Sequence, residues 1–454
     1  MKRFFAGIVI LLMGRLLGCG FAAMAQTPQA TELPGKLFDI QKTWKIGGEG
    51  NWDYLTLDPV ALKLYIAHGP VVQIVDVNTG TMVGQVTGLH EAHGIALDDS
   101  GESGFVSDGP ANRVRIFDRG SLQVVASVPT GPNPRAIVYE PLTKLVFAIC
   151  TQPVDANFVA QQAAAANPPA QTSGKPATPT ARRGTAADRQ AVGDPSDTDP
   201  RSIITVIDAE TRLPLANLLV RGKLGFAQAD GRGEVFVNVV DRNRIAHFDA
   251  QSVLALVHQP PARNPDAPPP AGPQPPPPPL PVIDWSGPRN PDGAQATDNR
   301  LRTFRLGPAC QDPKGLAVDG THARLFAACD NQKMEVLNSG TGEVVATLPI
   351  GPGTDAIGYD SNRGLIYTSN GGGVGSMTVI RQDVNDSYAV IQELPTSQRA
   401  RTLAVNPLSG EVYLVTNLMG FDLSKKGVGG STHTLPVVES QAVTGSFEVL
   451  VVGN

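Results

Sequence analysis

Cysteine is scarce in this chain, charge is sparse, and long apolar runs are all but missing. Only four cysteines occur in 454 residues. None has the CxxC, CxxCH or Cys/His spacing that haem attachment or a zinc knuckle needs, so neither is supported. Past residue 25 no uninterrupted apolar run approaches the roughly 18 residues that a membrane helix requires. Charged residues make up just 17% of the chain, while 48 glycines and 39 prolines give it a turn-rich profile. That profile suits many short strands and nearly excludes a mostly helical protein. The length exceeds one ordinary core, which leaves several domains or one large repeat architecture, and the composition favours the latter.

Residues 1–25 read as an export signal. Lys2 and Arg3 form the basic start, Phe4 to Met13 the apolar stretch, and Ala23-Met24-Ala25 a small-x-small cleavage site before Gln26, with Arg15 an irregularity. The alternative is a lipoprotein signal acylated at Cys19, which the bulky Leu17 fits poorly. The expected destination is the periplasm or the exterior. Cleavage leaves 34 basic against 42 acidic residues, a balance that argues against a generally basic nucleic-acid surface. Three cysteines then remain, Cys150, Cys310 and Cys329, and an oxidising compartment permits one disulfide among them.

An internal repeat organises the rest. A short apolar strand closing on an acid or amide recurs as YLTLD (54–58), GIALD (94–98), AIVYE (136–140), FAQAD (226–230), GLAVD (315–319), AIGYD (356–360) and TLAVN (402–406). The underlying period is 40 to 46 residues. A turn and a second β-rich run follow each copy, then a third strand such as VQIVDV (72–77), RVRIFD (113–118) or IITVID (203–208), often leading through a glycine turn into a fourth. Four strands per copy and seven copies predict an all-β, seven-bladed β-propeller of four-stranded antiparallel blades spanning 26–454. The seventh copy stops one strand short, and LFDIQKTWKI (37–46) is available to pair beside SFEVLVVG (446–453) and close the ring.

Two low-complexity inserts break the period. Residues 152–200 fall between the second and third strands of blade three; residues 258–300, with 15 prolines, interrupt the outer part of blade four. Neither has the periodic apolar residues to bury a core, so both are expected to be disordered or polyproline-like. The poly-Pro run 275–279 reads as a spacer rather than a partner motif.

NWDYLTLDP (51–59), HGIALD (93–98), PACQDPKGLAVD (308–319), RLFAACD (324–330), VVATLPIG (344–351) and SFEVLVVG (446–453) resemble the YncE-like, YVTN-repeat β-propeller family of exported bacterial proteins. The resemblance covers nearly all of 37–454 outside the inserts. It implies the fold more than an activity, because propellers host binding, scaffolding and enzyme functions alike. The family sometimes carries a DNA-binding label, and relatives of the fold include lactonases, lyases and cofactor-dependent oxidoreductases.

The residue just before each repeated strand should face one mouth of the central channel. Read in all seven copies it is Asp53, His93, Arg135, Gly225, Lys314, Asp355 and Arg401. Such a ring suits a small anionic or zwitterionic ligand, with Arg135 and Arg401 gripping a carboxylate or phosphate and Asp53 or Asp355 balancing charge. The plainer alternative is a hydrated, self-paired ion network that fills the channel. His93, with Asp53 or Asp355, is the candidate acid or base of an enzyme reading. His90-Glu91-Ala92-His93 has its histidines three apart and leads into a strand, so it lacks the helical HExxH geometry of a zinc site. Gly371 to Gly375 lies between strands and reads as a hairpin turn; Lys425-Lys426-Gly427 has the wrong order for a phosphate loop. Cys310 and Cys329 fall at the same end of a blade-five hairpin and are expected to form a structural disulfide, leaving Cys150 as a small buried hydrophobe.

The reading is a monomeric exported propeller that binds a small anionic ligand or a protein partner at one channel mouth and is not an enzyme. No cofactor is expected, with a bound metal ion left open. The alternatives are a hydrolase, lactonase or lyase using the mouth histidine and aspartate, and a single-stranded DNA-binding propeller resting on Arg135, Lys314 and Arg401.

Overall fold

A computed structural model describes residues 37–155, 158, 200–257, 280–285, 301–421 and 440–454. The export signal with Cys19, most of both inserts, the poly-Pro run and Lys425-Lys426-Gly427 lie outside the described residues. Seven antiparallel blades of four strands follow one another in sequence. Blades one and two are Trp52–Asp58 through Thr81–Val86 and Ala92–Leu97 through Val124–Pro129; blades five and six are Pro313–Asp319 through Val344–Pro349 and Thr354–Asp360 through Ser387–Pro395. Blade seven is composite: Leu403–Val405, Val412–Thr416 and Glu448–Gly453 are completed at the outer edge by Asp39–Lys45 from the other end of the described chain.

The repeated closing residue turns out to be a turn cap. Asp58 Oδ1 accepts the backbone N–H groups of Val60 and Ala61, both at 2.9 Å. Glu140, Asp230, Asp319, Asp360 and Asn406 hold the equivalent turns in the same way. A short oxygen-bearing side chain is what can satisfy two turn donors at a buried hairpin, hence its recurrence. The third strands close similarly. Asp249, in place of capping a hairpin, accepts from Gln251 and Ser252 and thereby starts the helix Ala250–Val257.

Apolar side chains fill the junctions between neighbouring blades, one cluster per junction, so each blade is a slab sharing its two faces with its neighbours. Cys310 and Cys329 are joined in a disulfide across the blade-five hairpin, Cα atoms 5.5 Å apart. Cys150 is fully buried, and burial pushes its thiol up to about 12, which keeps it protonated and unreactive.

One expectation needs correction. The 258–300 insert is not devoid of packed structure, because Val282–Asp284 forms a strand that joins blade three beside Pro214–Arg221. A run this short carries no periodic signal, and its pairing partner lies more than sixty residues away.

Candidate functional site

Each inner strand begins at the same mouth, and in six blades it begins with a register shift against its neighbour, as between Trp52 and Leu55, Ala92 and Ile95, or Thr354 and Ala356. A bulge re-aims the side chain it carries. The residues at these bulges are Asp53, His93, Arg135, Gly225, Lys314 and Asp355. Arg401 stands just ahead of the seventh inner strand.

Five of the six polar ring residues, Asp53, Arg135, Lys314, Asp355 and Arg401, line a cavity of about 480 Å³, joined by Lys223, Asn133 and Thr151. Lys223 was missed in the sequence because blade four has Gly225 in the register position and supplies its cation two residues earlier. Four cationic side chains therefore face two carboxylates. Arg135 Nη2 lies 3.2 Å from Asp53 Oδ2, and Arg401 Nε lies 3.1 Å from Asp355 Oδ2. Both arginines stay more than two-fifths exposed to the cavity. No ion pair is formed by Lys223 or Lys314 among the described residues.

His93 does not line this cavity. Its side chain is buried behind Asp53, with Nδ1 2.7 Å from Asp53 Oδ2 and the opposite edge of the ring packed toward Gly109. It meets the vestibule through two wall residues, Asp53, whose carboxylate it orients, and Arg135, whose Nη2 lies 3.3 Å from the same Nδ1. His90 turns instead to Asp108, Nδ1 to Oδ2 3.3 Å. The two histidines serve different acids, and no group of three potential metal ligands occurs among the described residues.

The floor of the vestibule was not anticipated. Tyr54 from blade one and Phe226 from blade four meet across the channel with ring centroids 4.9 Å apart. Below them lies a second cavity of about 340 Å³, lined mainly by aliphatic residues of the inner strands, including Ile95, Ile137, Val138 and Ile357. Desolvation, with the charges of Asp53 and Asp355 adding to it, drives the Tyr54 phenol well above its ordinary range. It stays neutral.

Burial likewise lifts the Asp355 carboxyl above the usual range; Arg401 opposes the shift and Asp53 adds to it. On acidification Asp355 is protonated ahead of an ordinary carboxylate, so the vestibule becomes more positive. Sulfate, whose own charge is constant over this range, is expected to bind more tightly as pH falls from 7 to 4.5 in the wild type. In Asp355→Asn the profile flattens. A wild-type profile that is flat, or that weakens towards acid, contradicts this assignment.

No protein-family model and no curated protein sequence matches the chain. Solved structures do. The WD40 repeats of RRP9 align with a TM-score of 0.56 at 8% identity, over 90% of this chain and 96% of that one. Kuenenia stuttgartiensis hydrazine synthase aligns at 0.52 and 12% identity over 85% and 95%, and a chain of the mitotic checkpoint complex at 0.53 and 10% over 89% and 96%. Likeness at such identities shows the fold alone: the chain is a seven-bladed β-propeller.

Proposed function

We propose that this propeller binds a small anionic or zwitterionic solute in the vestibule at one mouth of its channel. The observation that carries the reading is the composition of the cavity wall, in which Arg135, Lys223, Lys314 and Arg401 surround a 480 Å³ space with only Asp53 and Asp355 to offset them. Two of the cations are already oriented by carboxylates. A bound anion can therefore engage preorganised guanidinium groups without first ordering them. Membership of the YncE-like, YVTN-repeat family, export to the periplasm by the leader 1–25, and a single mature unit over 26–454 are parts of the same proposal, resting on the repeats and the leader sequence. The position of His93 behind Asp53 favours binding over acid–base chemistry at this mouth.

The test combines two measurements. Native mass spectrometry of protein purified from the producing cell looks for a retained small molecule, and calorimetric titration with inorganic phosphate and succinate probes the cavity directly. Arg135→Ala with Arg401→Ala is expected to leave the fold intact and weaken anion binding at least tenfold, as is Lys223→Ala with Lys314→Ala, since either pair removes the excess of positive charge. Unchanged affinity in both double variants rejects the site. Affinity that persists but drops steeply with salt in the presence of single-stranded DNA supports the nucleic-acid alternative instead.

A further inference from the structure

The outer strands of blades one, two, five and six are exposed or half-buried at every position but one, as a propeller rim in water should be. The outer strand of blade three is not: in Pro214–Arg221 every residue from Ala216 on is buried. Its sequence explains the need, because Leu218-Leu219-Val220 places apolar side chains on both faces of the strand. The cover comes from Val282–Asp284, which pairs with Asn217, Leu218 and Leu219 in the one parallel pairing among the described residues. The ladder is bounded by Asn217 N–H to Pro281 O and Trp285 N–H to Leu219 O, both 2.9 Å.

Side chains deepen the contact. Trp285 is 4% exposed, with its ring 5.4 Å from that of Phe248, in the cluster that includes Leu218, Val220 and Val253 of the helix Ala250–Val257. Val282 packs over Cys150, Val154, Ile203 and Leu219. Asp284 lies 4.0 Å from Arg201 Nη1. Backbone pairing supplies affinity and alternate pockets supply selectivity, which is how a sheet edge recognises an extended peptide. The resident segment follows a Pro-rich stretch of the sequence. Its backbone pairs with this edge, and its Trp285 ring packs on Phe248 of blade four.

We infer that the outer edge of blade three, with the aromatic pocket under the helix, is a peptide-binding site for an extended segment of the pattern Pro-apolar-apolar-acid-Trp, and that residues 281–285 are its built-in ligand. A partner segment of the same chemistry takes the site by displacing the resident strand. The tether gives the resident an effective concentration of order millimolar, so an untethered competitor is disadvantaged until the resident is released.

The experiment places protease sites in 262–276 and 288–298 of the full-length protein, cuts both after folding, and adds a fluorescent peptide corresponding to residues 280–286. The cut protein is expected to take up the peptide, and the uncut protein to bind it roughly a thousandfold more weakly at micromolar peptide affinity. Peptides carrying I283D or W285A are expected not to bind. A cut protein that keeps its circular dichroism yet takes up no peptide, or that takes up the two variant peptides equally well, overturns the inference. Hydrogen exchange on the intact chain gives an independent check. The amides of Asn217 and Trp285, bonded to or within the docked strand, should exchange at least tenfold faster than that of Ile204 in the blade interior. Equal protection would make the strand a fixed part of the core and overturn the inference as well.

Discussion

A chain lacking residues 37–45 is expected to lose its cooperative unfolding transition. The strand Asp39–Lys45 pairs with Glu448–Gly453 along its length and ties two junctions at once. Phe38 enters the cluster between blades six and seven, its ring edge-on to Tyr367 at 5.6 Å, and its backbone exchanges two hydrogen bonds of 2.8 Å with the Gln392 amide. Trp44, at the other end, stacks on Tyr413 at 5.6 Å in the cluster between blades seven and one. Gly80 adjoins it with φ +69°, where a Cβ would come within 2.4 Å of the indole. Fully burying each of the two aromatics contributes about 1.5–3 kcal/mol. Losing both, together with the ladder and the closure of the ring, approaches the ~5–15 kcal/mol by which a folded protein is stable at all. Urea unfolding followed by circular dichroism should show a broad, early transition, and a synthetic peptide of residues 37–46 should restore the sharp one. An unchanged midpoint in the truncated chain would mean that the ring does not depend on its closure.

Arg119→Ala is expected to cost about 3–5 kcal/mol, the penalty for leaving a buried charge without its partner. Arg119 follows the third strand of blade two and reaches into blade one to bond Asp58, while also donating to the Asp98 carbonyl of its own blade at 3.0 Å. The side chains of Arg119 and Asp58 are 8% and 7% exposed. Asp58 already caps its own turn, so its second oxygen depends on the arginine. Because blade seven uses Asn406 for the same cap, Asp58→Asn keeps the turn while removing the charge. Adding it to Arg119→Ala should recover a large part of the loss, which a double-mutant cycle by urea unfolding measures. A single-variant loss below 1 kcal/mol, or no recovery in the double variant, would show that the pair does not join these blades.

The fold could be read in the chain because one hydrogen-bonding requirement recurs seven times. Asp58, Asp98, Glu140, Asp230, Asp319, Asp360 and Asn406 each satisfy a tight turn, and that need leaves a recurring mark, interrupted only where the two inserts fall. The composite seventh blade was legible from a missing strand at one end and a spare one at the other. The mouth ring was legible by register, yet register could not distinguish Arg135, which faces the cavity, from His93, whose ring turns to the Asp53 carboxylate; the same register shift carries both Asp53 and His93, so only the side-chain contacts separate them. The aromatic floor left a signal that went unread. The position after each ring residue is Tyr54, Gly94, Ala136, Phe226, Gly315, Ala356 and Thr402, two rings among five small residues. Gly94 is small because a Cβ there would sit 2.5 Å from the Arg135 carbonyl oxygen of the next inner strand. The strand 282–284 left no comparable mark, since its pairing is parallel and distant.

The chain has three tryptophans, and they stand at two joints. Trp44 and Trp52 share the cluster between blades seven and one, where the ring closes, and Trp285 is in the docked strand on blade three. The protein thus carries native fluorophores at the closure of the ring and at the docked strand. A variant retaining Trp285 alone and one retaining Trp44 alone would report strand release and ring opening as separate optical signals.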